Sequence, residues 1–238
     1  MILDRLASLR SELQAAIDPV KALNLSRFFK SGPGQYAEGD VFIGVAVPTL
    51  RLIAGRYHDL DFTQLADLLN SPIHEERMMA LILLVSSVQP RQPRTVDTAA
   101  AFYLARLDRV NNWDLVDLSC PSVLGPYYAG RDPAPLVRLT DSANLWHRRI
   151  AMVTTHFYIR AGDFDLAIEI ATRLLHDRQD LIQKAVGWML REIGKRDTDI
   201  ETAFLSQHYH TMPRTTLRYA IEKFDPARRA AYLAGTAE

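Results

Sequence analysis

The sequence is poor in the features that mark out whole classes of protein. Cys120 is the single cysteine in 238 residues, so no intrachain disulfide can staple the fold. A lone thiol is consistent with a reducing compartment. No apolar run approaches the roughly 20 residues that cross a bilayer. The opening MILDRLASLRSELQAAI has charges threaded through it and lacks the apolar stretch and cleavage site of a signal peptide. A cytoplasmic protein with no membrane partner is expected. Net charge is lacking as well. The 28 basic residues balance 28 acidic ones, so any surface for a polyanion is a local stripe offset by acid elsewhere. Ser31-Gly32-Pro33-Gly34-Gln35-Tyr36 is glycine-rich but has neither the Lys-Ser/Thr ending nor the preceding strand of a phosphate loop. A serine nucleophile motif is missing too. The seven histidines are scattered, His208 and His210 are too close to share a helical face, and no metal site is expected. Cys120 has no evident activating partner and is expected to be buried and inert.

What is present is apolar and helical. Hydrophobic residues make up 48% of the chain and charged residues 24%, too apolar for disorder; the length suits one compact domain or two small ones, and a single domain over residues 1–238 is expected. Ile2, Leu3, Leu6, Leu9, Leu13 and Ala16 recur every three or four positions, one helical face over 2–17. A second helix is expected over 72–88, opened by Ser71-Pro72 and carrying Met78, Met79, Leu81, Ile82 and Leu83. Helical patterns also cover 96–109, 144–161, 164–175, 179–195, 198–209 and 213–224. Breaks fall at Ser31–Gly34, Gln89–Pro93, Asp132-Pro133 and Asp225-Pro226. Val41–Val47 reads as a loop. Similar helix openings begin at Ser71, Ser142, Arg178 and Met212, the last three about 35 residues apart, close to the period of two-helix repeats. A stack of helical pairs buries each apolar side against its neighbours and leaves a concave groove. An irregular helical bundle is the alternative.

Three constellations carry candidate chemistry. On the helix at 181–195, Leu181, Ile182, Ala185, Val186, Met189 and Ile193 share an apolar arc. Lys184, Trp188, Arg191 and Lys195 form a separate stripe. Cations interleaved with an aromatic suit a phosphate backbone and a sugar or base face. A tryptophan packed on a neighbouring helix, with Lys and Arg stems around it, gives the same pattern. In Asn111-Asn112-Trp113-Asp114-Leu115-Val116-Asp117, Trp113 and Asp117 are one helical turn apart. Asp114 is expected to cap the helix start. Asp117 stands too far in for that role. A carboxylate beside an indole suits a cation, whether a structural arginine, a cationic substrate or a developing positive charge. In Trp146-His147-Arg148-Arg149, Trp146 begins an apolar face with Ile150, Val153 and Phe157. Arg148 points away from that face, and Arg149 lies at its margin, able to bind phosphate or to pair with Asp117.

Taken together, WDLVD at Trp113–Asp117, LWHRR at Leu145–Arg149 and IQKAVGWMLRE at Ile182–Glu192 resemble the DNA alkylation repair enzymes, alkylpurine DNA glycosylases built from HEAT-like repeats. RFFKSGPGQYAEGD at Arg27–Asp40 and FIGVAVPTLR at Phe42–Arg51 resemble one branch of that family. The likeness runs from about residue 20 to about residue 224, and three motifs in order are more specific than any one. The resemblance implies an all-α, right-handed, C-shaped solenoid of HEAT-like repeats that cradles duplex DNA. It implies hydrolytic excision of cationic N3- or N7-alkylated purines such as 3-methyladenine and 7-methylguanine. By position, Asp117 resembles the catalytic carboxylate, Trp113 and Trp188 the aromatics around the lesion's sugar, and Arg149 and Arg191 the groove arginines. Lys184, Lys195 and Arg148 are expected to add phosphate contacts. Phe28 stands where relatives carry Tyr, which keeps the ring and loses the hydroxyl. No cofactor is expected, since the chemistry needs only water, and a monomer is expected. The competing readings are a non-catalytic helical-repeat module that binds damaged or branched DNA, and a protein-protein scaffold.

Overall fold

The computed structural model describes residues 5–88 and 93–237. Two compact units divide the chain, Met1–Ser119 and Cys120–Glu238. In the first, α1 (Arg5–Ala15) buries Leu6, Leu9 and Leu13 along one stripe. Ile2 and Leu3, assigned above to the same face, lie outside the described residues, as does most of the break at Gln89–Pro93. α2 (Pro19–Phe28) begins where the Asp18 carboxylate accepts the N–H groups of Val20 and Lys21. None of its residues is buried. α3 (Val47–Ala54) follows, then α4 (Phe62–Leu69), opened by a capping box of Asp61 and Gln64. α5 (His74–Ser87) is enclosed from His74 through Leu84. α6 (Pro93–Leu104) leads through a 3-10 turn, Leu107–Arg109, to α7 (Trp113–Tyr128), whose last residues belong to the second unit.

The loop between α2 and α3 is held from α5. Val41 makes an isolated parallel bridge to Ile73, and the Glu75 carboxylate accepts the N–H groups of Ile43 at 3.1 Å and Gly44 at 2.7 Å. Gly44 has φ +84°, and a Cβ there would lie 2.1 Å from the Asp18 carbonyl oxygen. Any side chain is excluded both by conformation and by space.

In the second unit come α8 (Ala134–Arg138), α9 (Leu145–Thr154), α10 (His156–Ala161) and α11 (Asp165–Leu174). They are followed by α12 (Asp180–Gly194), α13 (Thr198–His208), α14 (Arg214–Ala220) and α15 (Pro226–Ala234). The core of this unit is built around α12, whose Ile182, Ala185, Val186, Met189, Leu190 and Ile193 are all inaccessible to solvent. α14 crosses α12 at Gly187, where a Cβ would meet the Thr216 carbonyl oxygen at 2.4 Å. α10 crosses the end of α7 in the same manner. Gly125 leaves room for Phe157, whose Cβ would otherwise lie 2.4 Å from an added methyl.

The architecture is all-α, with no strand beyond the one bridge among the described residues. The helices expected over 164–175, 179–195 and 198–209 match α11, α12 and α13. The one expected over 144–161 is two, because the chain turns at Thr155 between α9 and α10. The one at 213–224 ends as α14 and a 3-10 turn, Ile221–Lys223. α2, α3, α4, α8 and α15 carry patterns too short for periodicity to single out.

Candidate functional site

The first group of candidate residues belongs to the start of α7. Asn112 caps the helix, its side-chain oxygen accepting the Trp113 N–H at 2.8 Å. One Asp114 oxygen accepts the Leu115 N–H at 2.8 Å, and the other lies 2.8 Å from Nε2 of His74. Asp114 therefore does the expected capping and something more. Trp113 is half-buried. Phe29 stacks on it with centroids 5.2 Å apart and planes 20° apart. Phe28, at 64% exposure, meets Trp113 edge-on at 6.0 Å. The structure thus brings Phe28 and Trp113 together at one surface. Asp117, one turn along α7, is half-buried.

Beneath this surface the stack continues inward. Phe29 lies on Phe42 at 5.1 Å and 13°, and Phe42 on the His74 ring at 4.7 Å and 29°. The imidazole is almost fully enclosed, with Asp40 Oδ2 3.3 Å from Nδ1 and Asp114 Oδ2 2.8 Å from Nε2. Asp40 is itself shared with Arg77 at 2.7 Å and with the Asn112 amide at 3.4 Å. Burial works against a charge on His74, but the bonds to Asp114 and Asp40 outweigh it and push its pKa up to about 9. Burial would raise the Asp40 carboxyl, yet the His74 bond and the Arg77 charge hold it below the usual range.

The second group lies on α9 and α12. Trp146, Ile150 and Val153 are buried as expected, and Arg149 is only 5% exposed, donating to the Leu181 carbonyl. Arg148 donates to Asp177 at 2.6 Å and to the Ser142 carbonyl at 2.7 Å, which ties α9 to the turn before α12. Along α12 each cation of the stripe faces an acid: Lys184 with Asp180 at 2.7 Å, Lys195 with Glu192 at 2.5 Å, and Arg191 with Glu222. The stripe therefore carries its own counter-charges. Trp188 is half-buried. Its indole N–H donates to Glu192 at 3.3 Å, and the His156 ring lies 5.8 Å away. Burial favours a protonated Glu192, but Lys195 and the Trp188 N–H hold its carboxyl below the ordinary value. Burial also lowers the pKa of His156, against the pull of Glu192.

Sequence reading missed His74, Asp40, Phe29 and Glu192. His74 and its carboxylates are separated by 34 and 40 positions, so no window of local pattern contains them. Glu192 was in reach, since Trp188 and Glu192 are one helical turn apart. Among the described residues, no three His, Cys, Asp or Glu side chains are grouped to hold a metal ion, and no helix is long and apolar enough to cross a membrane.

Comparison with known proteins identifies the family of the chain. A family model described as DNA alkylation repair enzyme matches residues 9–224. A protein described as a predicted DNA alkylation repair enzyme from Enterococcus faecalis is similar in structure, with a TM-score of 0.67 at 18% identity over 88% of this chain and 97% of that one. The crystal structure of AlkD2 from Streptococcus mutans has a TM-score of 0.54 at 17% identity, over 87% of this chain and 99% of that one. At such identities the structural likeness speaks to the fold. No curated protein matches the sequence.

Proposed function

This chain belongs to the DNA alkylation repair enzyme family, and we propose that within it the protein is a glycosylase for cationic N3- and N7-alkylated purines in duplex DNA. The observation that carries the proposal is the start of α7. A partly exposed indole, held flat by a stack of rings, stands one turn from the Asp117 carboxylate. Trp188, on α12, is assigned the same sugar-facing role as Trp113.

The chemistry follows from the substrate. Alkylation at N3 or N7 leaves a positive charge on the base and weakens its glycosidic bond. When that bond breaks, its electron pair goes to the base, which departs neutral, and positive charge moves to the sugar. Indole faces and a carboxylate stabilise that charge. A water oxygen then bonds to the anomeric carbon and gives up a proton, leaving an abasic site. The base needs no acid catalyst, so neutral lesions such as uracil and hypoxanthine are poor substrates. Arg191, Lys184 and Lys195 are assigned to the phosphate backbone, whereas Arg149, expected there too, is buried and holds α9 to the start of α12 through the Leu181 carbonyl. The exposed ion pair of Lys184 with Asp180 is cheap to exchange for phosphate, because such pairs contribute only about 0–1 kcal/mol; Lys195, paired with the buried Glu192, is held more firmly. Arg148, tied to Asp177 and two backbone carbonyls, would act mainly by holding α9 in place. Phe28 extends the aromatic surface toward the DNA. The enzyme works as a monomer on chromosomal DNA, with no cofactor.

The deciding experiment is release of 3-methyladenine and 7-methylguanine from methylated duplex DNA, with Asp117→Asn and Trp188→Ala run alongside. Release that vanishes in Asp117→Asn while DNA is still bound supports the assignment. Binding without any release by the parent chain would instead make this a DNA-binding module.

A further inference from the structure

Both ring nitrogens of His74 face carboxylate oxygens, Nδ1 toward Asp40 and Nε2 toward Asp114. A neutral imidazole has one N–H and can satisfy only one of them. The geometry therefore calls for an imidazolium, independently of any titration argument. With that proton in place, Asp40, Asp114, His74 and Arg77 form a buried set of two anions and two cations. Without it, the set holds an uncompensated negative charge under the aromatic stack.

Buried ion networks are poor sources of stability compared with apolar packing, and their best-attested use is to specify one geometry. Here the geometry at stake is that of α7. Asp114 follows Trp113 directly, and His74 holds the one Asp114 oxygen that the helix start does not use. The same ring closes the inner end of the column Trp113, Phe29, Phe42, His74, whose successive planes differ by 20°, 13° and 29°. A cationic ring on the face of Phe42 adds attraction along the stack. We propose that His74 is a positioning residue, its imidazolium locking the first turn of α7 and through it the plane of the Trp113 indole. The consequence for catalysis rests on the reading that Trp113 borders the lesion's sugar. The consequence for the indole does not.

The other charged groups around His74 are already engaged. Arg77 on the same helix pairs with Asp40. Glu75 is spent on the N–H groups of Ile43 and Gly44, and Glu76 pairs with Arg10. Arg109, from the 3-10 turn before α7, donates to the carbonyls of Leu69, Asn70 and Ser71. Asp40 and Asp114 remain as the groups that set the His74 proton, with Asp114 the stronger of the two.

The test uses the full chain labelled with 5-fluorotryptophan. The Trp113 resonance is assigned by its loss in Trp113→Phe, and the His74 ring is followed in parallel by carbon-proton NMR. Both should titrate together, with a midpoint near pH 9 in the parent chain. Asp114→Asn should move both midpoints down together, and His74→Gln should abolish the Trp113 step. Single-turnover excision of 7-methylguanine, corrected for loss without enzyme, should fall about tenfold or more across the same step. DNA affinity should change little, and in Asp114→Asn the alkaline limb should move with the resonance. If His74→Gln does not fold, Asp114→Asn decides. A Trp113 resonance that ignores the His74 titration overturns the proposal, as does an alkaline limb unmoved in Asp114→Asn. A coincident Trp113 step in a chain that excises nothing upholds the positioning role and refutes the glycosylase reading instead.

Discussion

Replacing Gly187 with alanine isolates how α12 is held against α14. An alanine methyl at this position would lie 2.4 Å from the Thr216 carbonyl oxygen, 2.5 Å from Tyr219 Cβ and 3.2 Å from the Ala220 nitrogen. Two of these are backbone atoms and the third is the root of a side chain, so no flexible tip can swing aside. α14 must retreat by about 1 Å, loosening the contacts of Thr216, Leu217 and Ala220, all of which are buried. In a helix, Gly→Ala alone is worth about 1 kcal/mol in the stabilising direction. Overpacking a close contact costs about 1–3 kcal/mol, and a clash with backbone belongs at or above the upper end. The net is a loss of about 2 kcal/mol, or a melting temperature lower by about 4–8 °C for a chain of this size. Gly55→Ala is the control. Gly55 has φ −57°, and its nearest neighbours to an added Cβ are at 3.6 and 3.7 Å. It should be neutral or slightly stabilising. Urea unfolding followed by far-ultraviolet circular dichroism reads both. Because propensity and packing have opposite signs, a Gly187→Ala protein about 1 kcal/mol more stable than the parent would refute the packing argument outright. Trp188 is the next residue, so its fluorescence should report the same displacement.

Four other outcomes are expected. Asp117→Asn keeps duplex affinity and lowers single-turnover excision of 7-methylguanine by about 10²–10³-fold, the scale of losing one electrostatic stabiliser; an unchanged rate removes Asp117 from the reaction. The folded-state pKa of His74 is raised from 6.5 to about 9. Its contribution is therefore complete below the unfolded value and is lost as pH rises through about 9. That loss is on the order of 3 kcal/mol, read by urea unfolding across this range, and it should be missing in His74→Gln. Glu201 has a consequence of the same sign in a lower pH window. Burial raises its carboxyl to about 8, and Arg228 and Arg191 only partly offset this. Stability should fall between about pH 4.5 and about 8 as the unfolded chain gives up a proton the folded chain retains; Glu201→Gln should flatten that fall. Finally, if Lys184, Arg191 and Lys195 each neutralise one phosphate, the logarithm of DNA affinity should fall with the logarithm of salt at a slope of about −3. Each alanine replacement should then reduce that slope by about one, measured by fluorescence anisotropy.

Helical character was open to reading because it is a local property. Leu6, Leu9 and Leu13 in α1, and Ile182, Ala185, Val186, Met189 and Ile193 in α12, repeat within windows shorter than the helices themselves, and burial follows that period. That Trp113 and Asp117 stand one turn apart was legible for the same reason, since both fall in α7. Tertiary structure alone decided what surrounds them. Phe29 and Phe42, from the connection between α2 and α3, and His74, from α5, build the stack beneath Trp113, and the acid that binds each cation of α12 is a matter of three-dimensional neighbourhood whenever, as with Glu222 and Arg191, it lies on another element. The division at Thr155 and the crossing at Gly187 are equally unreadable from pattern, since each depends on what packs against the helix. Periodicity records which side of a helix faces inward. It carries no record of which distant residue waits there, because that partner is chosen by chain closure and not by spacing.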